Sequence, residues 1–197
     1  MRYEPDHKEE TRQKVLRAAA RAIRAEGPHK VAVAKVMARA GLTVGGFYAH
    51  FASKDDLIAA AIDEMFAEAK SRQLLETGER PPAEAIGAYI DFYLSPTHRD
   101  ARATGCPMPA LAADLPRLTE KSRERFAAGV RQLRARLVEK LAALGHDDAE
   151  AEASSVVAEL VGALSLARGE SDPAASDAIL TRSKTSLKRR LNLETRP

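Results

Sequence analysis

The sequence predicts an all-α protein: an N-terminal three-helix unit with a helix-turn-helix over residues 1–53, then a larger helical body over residues 54–197. Three observations predict it. Apolar residues recur at steps of three and four along nearly the whole chain, and no segment shows the alternation of a half-buried strand. Glycine, proline and Asp/Ser/Thr cap residues divide that pattern into about nine helices. Near the N-terminus two short helical patterns flank a tight Gly-Leu-Thr turn, the arrangement of a helix-turn-helix.

Val15, Ala18, Ala19, Ala22 and Ile23 mark the first helix, with Asp6 and Glu9 spaced as a capping box before it and Glu26-Gly27-Pro28 ending it. Val33, Val36, Met37 and Ala40 form a short second helix that stops at Gly41. The third runs from about Val44 to Phe51. The fourth begins after Ser53, repeats Leu57, Ile58, Ala61, Ile62, Met65 and Phe66, and is broken by the polar segment from Glu76 to Pro82. Ile86, Tyr89, Ile90 and Tyr93 give a fifth, followed by a proline-punctuated stretch from Ser95 to Pro116 with short helices at most. Phe126, Val130, Leu133, Leu137, Leu141 and Leu144 define a long helix that Gly145 terminates. Asp147 with Glu150 opens the next, with Val157, Leu160, Val161 and Leu164 on its broad apolar face. Asp172-Pro173 is an N-cap and N1 pair opening the last, which carries Ile179, Leu180, Leu187 and Leu191.

Composition bounds the function. The 197 residues are 45% hydrophobic, enough for a real core. No stretch approaches the roughly 20 apolar residues of a membrane span. The opening Met1 to Asp6 lacks the apolar run of a secretory signal, so a cytoplasmic protein without membrane association is expected. Cys106 is the single cysteine, and His7, His29, His50, His98 and His146 are scattered, so no disulfide, metal site or cofactor is expected. No phosphate-cradling glycine-rich loop and no supported set of nucleophile, base and orienting residue points to an enzyme. Charge is uneven: residues 1–54 carry eleven Lys/Arg against five Asp/Glu, whereas the remainder is mildly acidic. A basic head on an acidic body suits a chain that meets phosphate at one end.

The informative segment runs from Val36 to Leu57. Gly41 supplies a turn conformation that residues with a Cβ enter reluctantly. Thr43 is a good N-cap, and Leu42 and Phe47 have the spacing of a hydrophobic staple. Phe47 and Phe51, four apart, face inward, which turns Tyr48 and His50 to other faces. Gly45 and Gly46 each cost about 1 kcal/mol of helix propensity relative to alanine. They suit a helix end that presses against a surface, and helix N-termini attract phosphate. On local grounds a weak helix in a loop fits the same residues. Ser53 and Asp56 are spaced to cap the fourth helix. Lys54, at its first position, opposes the helix dipole, a conflict that a bound phosphate resolves.

The run Ala40-Gly41-Leu42-Thr43, then Gly45, Phe47-Tyr48, His50-Phe51, Ser53-Lys54 and Leu57, closely resembles the DNA-binding signature of TetR-family regulators. The resemblance covers about Val31 to Leu57. It implies that Thr43, Tyr48 and Lys54 contact phosphates, that Val44, Gly46 and His50 face base edges or nearby backbone, and that Lys35 and Gly45 belong to the same surface. Two positions depart from the pattern: Ala32 stands where many members have a phosphate-binding threonine, and Val44 where many have a polar or basic residue. Valine offers apolar contact only, for example to a thymine methyl, so fewer base hydrogen bonds are expected there.

The resemblance further implies a homodimer on a pseudo-palindromic operator, paired through the last two helices, where Ser154, Ala158 and Gly162 permit close approach. It also implies a repressor released by a small-molecule effector bound among the central helices. The expected lining is Met65, Phe66, Tyr89, Phe92, Tyr93, Cys106, Met108, Leu111 and Phe126, although for any one of them ordinary core is the favoured reading. A Gly-Cys-Pro run near Cys106 resembles part of a TetR subgroup, and some members sense oxidants or electrophiles through a cysteine. Cys106 is therefore read both as a buried structural residue and as a sensor. The competing functions are an architectural, sequence-nonspecific DNA-binding protein, an enzyme carrying a helix-turn-helix, and activation rather than repression. The basic Lys188-Arg189-Arg190 run reads as a solvated helix end rather than a second DNA contact.

Overall fold

A computed structural model describes the backbone of residues 4–193 and the side chains of residues 7–193. The described regular structure is entirely helical: α1 (Glu4–Glu26), α2 (Val33–Arg39), a 3-10 helix (Val44–Ala49), α3 (Lys54–Thr77), α4 (Pro82–Tyr93), α5 (Pro96–Asp100), α6 (Pro107–Leu111), a 3-10 turn (Leu115–Arg117), α7 (Glu120–Ala143), α8 (Ala149–Gly169) and α9 (Pro173–Arg190). No described helix is long and apolar enough to cross a membrane. Two compact units emerge, one of Met1–Glu68 with Arg102–Gly129, the other of Ala69–Ala101 with Val130–Pro197. Helices α3 and α7 contribute to both.

In the first unit α2 packs on α1, the 3-10 helix on α2, and α6 on α1. The apolar phase read from the sequence forms the core: Val15, Ala19, Ile23, Val36, Met37, Phe47, Phe51 and Leu57 are all buried. Each large side chain so buried contributes about 1.5–3 kcal/mol of hydrophobic stabilisation. Two positive-φ glycines set the corners, Gly27 at +86° after α1 and Gly41 at +75° after α2. Helix α1 begins before the expected capping box, so Asp6 lies inside the helix rather than at its N-cap; its side chain is outside the described residues.

Two basic residues tie α1 to α3, the exposed Arg17 through Glu64 at 3.6 Å and the buried Arg24 through Glu68. Arg24, with 1% of its side chain exposed, pairs with Glu68 on α3. Its Nε donates to the Ala103 carbonyl at 2.9 Å and a terminal nitrogen donates to the Gly105 carbonyl at 3.3 Å. Burial lowers the Arg24 pKa, opposed first by the Glu68 carboxylate and then by a charge interaction with Cys106.

In the second unit α4 contributes Ile86, Tyr89, Ile90 and Tyr93 to the core and packs on α8 and α9, which pack on each other. Helix α7 closes in a Schellman motif: Gly145 has φ +81°, its N–H donates to the Ala142 carbonyl, and the His146 N–H donates to the Leu141 carbonyl. The α8 cap is Asp148, whose carboxylate accepts from the Ala151 N–H at 2.9 Å. The expected Asp147 is displaced by one position. Two adjacent aspartates offer the same chemistry, and the one placed three residues before a free N–H takes the role. Asp172 caps α9 as expected, accepting from Ala174.

His98 is buried, with Nδ1 2.8 Å from the Tyr93 carbonyl and its ring stacked on Phe92. Burial lowers its pKa, and the nearby Arg168 cation adds to the shift. Arg168 also donates to the His98 and Arg99 carbonyls, satisfying orphan groups at the end of the short α5. The basic end of α9 is engaged within this unit: Lys188 pairs with Asp91 at 2.6 Å, and Arg190 with Glu152 and Glu159 at 3.0 Å.

Candidate nucleic-acid interface

The segment after the Gly41 turn is a 3-10 helix, not the expected α-helix. Length alone does not set this, since α5 and α6 are α-helical with five residues each; the two adjacent glycines, which lower helix propensity, set this segment apart. The tighter i→i+3 pattern results, with the Gly46 N–H donating to the Thr43 carbonyl at 3.2 Å and the His50 N–H to the Phe47 carbonyl at 3.0 Å. Thr43 occupies the N-cap position, yet its side chain makes no cap hydrogen bond. The hydroxyl is thus not spent on the helix it precedes.

Two aromatic anchors hold this short element. Phe47 and Phe51, each 2% exposed, stack with centroids 5.7 Å apart, and the Arg12 guanidinium lies 4.6 Å from the Phe51 ring centre. Such a cation–π contact contributes roughly 0.5–1 kcal/mol where partly exposed. With the phenylalanines buried, their neighbours are thrust outward: Tyr48 is 76% and Val44 49% exposed. The Tyr48 ring stands edge-on to Phe47, 5.2 Å away, which limits the orientations of its phenol.

The remaining expected contact residues lie on α2, on the 3-10 helix and its flanks, and at the start of α3. Lys35, Thr43 and Gly45 are exposed, and a Cβ added to Gly45 meets no atom within 4 Å. Gly46 is half-buried, 3.9 Å from the Met37 methyl as measured from an added Cβ. His50 is also half-buried, and its Nδ1 has no hydrogen-bond partner among the described residues. Ser53 caps α3, accepting from the Asp56 N–H at 3.0 Å. Lys54 occupies the first position of α3 and donates to the His29 carbonyl at 3.2 Å. One carbonyl uses one of the three donors of its ammonium group, so the charge remains available to an anion.

Several other basic residues of this unit are committed elsewhere. Arg39 pairs with Glu26 at 2.8 Å and holds that carboxyl below its ordinary pKa. Asp56 binds Lys121 and Asp63 binds Arg125, joining α3 to α7 at the surface.

The residues expected to line an effector pocket fall in both units. Met65, Phe66, Cys106, Met108 and Leu111 are buried in the first, where Phe66 and a half-buried Phe126 meet edge-on at 5.4 Å. Tyr89 and Tyr93 are buried in the second and also meet edge-on, at 5.7 Å, with Phe92 half-buried beside them. A cavity of about 260 Å³ lies elsewhere in the second unit, at a wall that includes Gln73, Ile86, Arg136, Leu137, Glu139 and Lys140. None of those residues was expected from sequence. The available signal was phase: Gln73 and Thr77 continue the four-residue spacing of Met65 and Ala69, placing polar groups on a core-facing stripe.

Residues 15–61 match the family model of bacterial regulatory proteins of the tetR family, and residues 82–180, half of the chain, match the C-terminal domain of LmrA/YxaF-like transcriptional regulators. No curated protein sequence matches. Among solved structures, the reduced form of Escherichia coli NemR superposes with a TM-score of 0.80 at 22% identity, covering 91% of this chain and 96% of that one. A TetR transcriptional regulator from Chloroflexus aurantiacus gives 0.79 at 26% identity, with 95% and 96% covered. A TetR-family regulator from Agrobacterium tumefaciens gives 0.76 at 27% identity, with 92% and 98% covered. With a tetR-type helix-turn-helix at one end and a regulator-type C-terminal domain over half its length, the chain belongs to the TetR family of transcriptional regulators.

Proposed function

We propose that this DNA-binding regulator is a dimeric repressor that grips a pseudo-palindromic operator through residues 1–53 and is released by a small-molecule effector bound in the helical body, residues 54–197. The observation that carries the DNA grip is the inversion of burial along the 3-10 helix. Phe47 and Phe51 are sealed into the core while Val44 and Tyr48 project into solvent and the Thr43 hydroxyl caps nothing. Tyr48 and Val44 add nothing to the core from these positions, and the arrangement suits a surface pressed against a duplex. Thr43, Tyr48 and Lys54 serve as phosphate contacts, with Lys35 at the same surface. Val44, Gly45, Gly46 and His50 approach the groove. Dimerisation uses α8 and α9, where Ser154 and Ala158 are exposed and Leu166 is 67% exposed.

Replacing Tyr48 and Lys54 together by alanine is expected to weaken binding to operator and to unrelated DNA alike. Each dimer loses two ammonium groups, and each cation removed lowers the log–log salt slope by about 0.9, so the slope falls by about 2. Electrophoretic shift or fluorescence anisotropy at several salt concentrations reads both effects. An unaltered affinity and slope would show that this face does not meet DNA.

A second reading places the signal on Cys106. What favours it is position: the buried Arg24 guanidinium donates to the carbonyl of Gly105, the residue before Cys106, at 3.3 Å. A structural neighbour, NemR, has itself been solved in a form described as reduced. On this reading an oxidant or electrophile releases the wild-type protein from DNA, and Cys106→Ser does not respond. Equal response of the two proteins, or no response in either, excludes it.

A further inference from the structure

Gln73 is 2% exposed, and its amide orientation is fixed because Nε2 donates to the Leu133 carbonyl at 3.4 Å; the flipped amide would set two oxygens against each other. That leaves Oε1 buried with no hydrogen-bond partner among the described residues. A buried acceptor without a donor is rare in a native core. This one belongs to a residue lining the cavity of about 260 Å³. Ile86 and Leu137 supply apolar wall, both buried. Arg136 and Lys140, one turn apart on α7, line it as well, and neither has an ion-pair partner among the described residues. Glu139 is the only carboxylate at the wall, so the three ionic groups leave one net positive charge.

An acceptor in need of a donor, a short apolar wall and one surplus cation define a ligand. At about 30 Å³ per water molecule the cavity holds the equivalent of roughly nine waters. We propose that it binds a small organic monocarboxylate of about ten non-hydrogen atoms, with a hydroxyl or N–H donor at the end remote from the carboxylate. The donor satisfies Gln73 Oε1, the body lies along Ile86 and Leu137, and the carboxylate meets Arg136 and Lys140. This deepens the ligand-responsive reading by naming a ligand class and a site, but binding is measured on the protein without DNA and so stands apart from that reading.

The test is calorimetric titration of the full chain with 4-hydroxybenzoate, with benzoate, which lacks the donor, and with 4-hydroxybenzyl alcohol, which lacks the anion. The expected order is 4-hydroxybenzoate tighter than either analogue by at least tenfold. Gln73→Leu should bring 4-hydroxybenzoate down to the affinity of benzoate and leave benzoate unchanged. Arg136→Gln and Lys140→Gln, at half-buried positions outside the core, should together weaken both carboxylates tenfold or more without affecting the alcohol. No binding of 4-hydroxybenzoate, or binding indifferent to the donor and to the two cations, overturns the site. Binding with this pattern that leaves operator affinity unchanged supports the site and removes it from the release mechanism.

Discussion

Replacing Arg24 by methionine is expected to cost about 3 kcal/mol, a large share of the 5–15 kcal/mol that holds a typical domain together. Methionine fills most of the volume of the arginine stem, so the loss is not a cavity effect. It is the loss of a forked donor that serves three acceptors at once: the Ala103 and Gly105 carbonyls and the Glu68 carboxylate. Leaving buried acceptors unpaired costs about 1–3 kcal/mol each, and breaking a buried ion pair by removing one partner about 3–5 kcal/mol. The lower end applies because the Glu68 side chain is 35% exposed and regains water when its partner goes. Arg24→Lys is expected to lose most of the same stability, since an ammonium group on a shorter stem cannot present the planar fork. Urea unfolding at constant m-value measures both variants. A loss below about 1 kcal/mol would mean that solvent already reaches these carbonyls.

Arg24 also shows where the sequence stops being legible. In the sequence it is one more basic residue on a basic helix and adds to the charge of the head, but its guanidinium is buried and neutralised by a carboxylate from outside that head. The one local hint is spacing: Arg24 continues the buried stripe of Leu16 and Ala20, whereas the exposed Arg21 follows Arg17, but spacing alone does not name the acceptors that the guanidinium meets. What was legible obeys local rules: the apolar phases of α1, α3 and α7, the glycines at 41 and 145, and the Asp172-Pro173 start of α9. The misplaced details are local competitions. Asp147 and Asp148 contend for one cap, and a glycine-rich segment contends between 3-10 and α geometry. At the candidate interface, phase correctly separated the inward Phe47 and Phe51 from the outward Tyr48. Phase could not show Lys54 reaching back to the His29 carbonyl, because that contact depends on how the chain returns after α1.

Gly129→Ala is expected to destabilise the protein by about 1–3 kcal/mol, although alanine is the better helix former by about 1 kcal/mol. A Cβ at this position, in the middle of α7, would stand 2.2 Å from Phe66 Cγ and 2.3 and 2.6 Å from its two Cδ atoms. Those atoms lie at the root of the ring, not at a flexible tip, and the ring is itself only 6% exposed. Relief therefore requires Phe66 to leave its rotamer and its edge-on contact with Phe126, or α3 and α7 to separate at this level. The decisive measurement is a double-mutant cycle with Phe66→Ala, since leucine would keep a Cγ and two Cδ atoms where the clash lies. With the ring removed, the added methyl has room, and the alanine should become neutral or stabilising by up to about 1 kcal/mol through helix propensity alone. A coupling of at least about 1 kcal/mol is expected between the two positions, whereas additive effects would show that α7 does not approach α3 through this glycine. The same cycle bears on how Phe66 is used. A ring pressed this closely against helix backbone leaves no room for a ligand on that side, so any effector reaching Phe66 must approach from the opposite face or displace the ring.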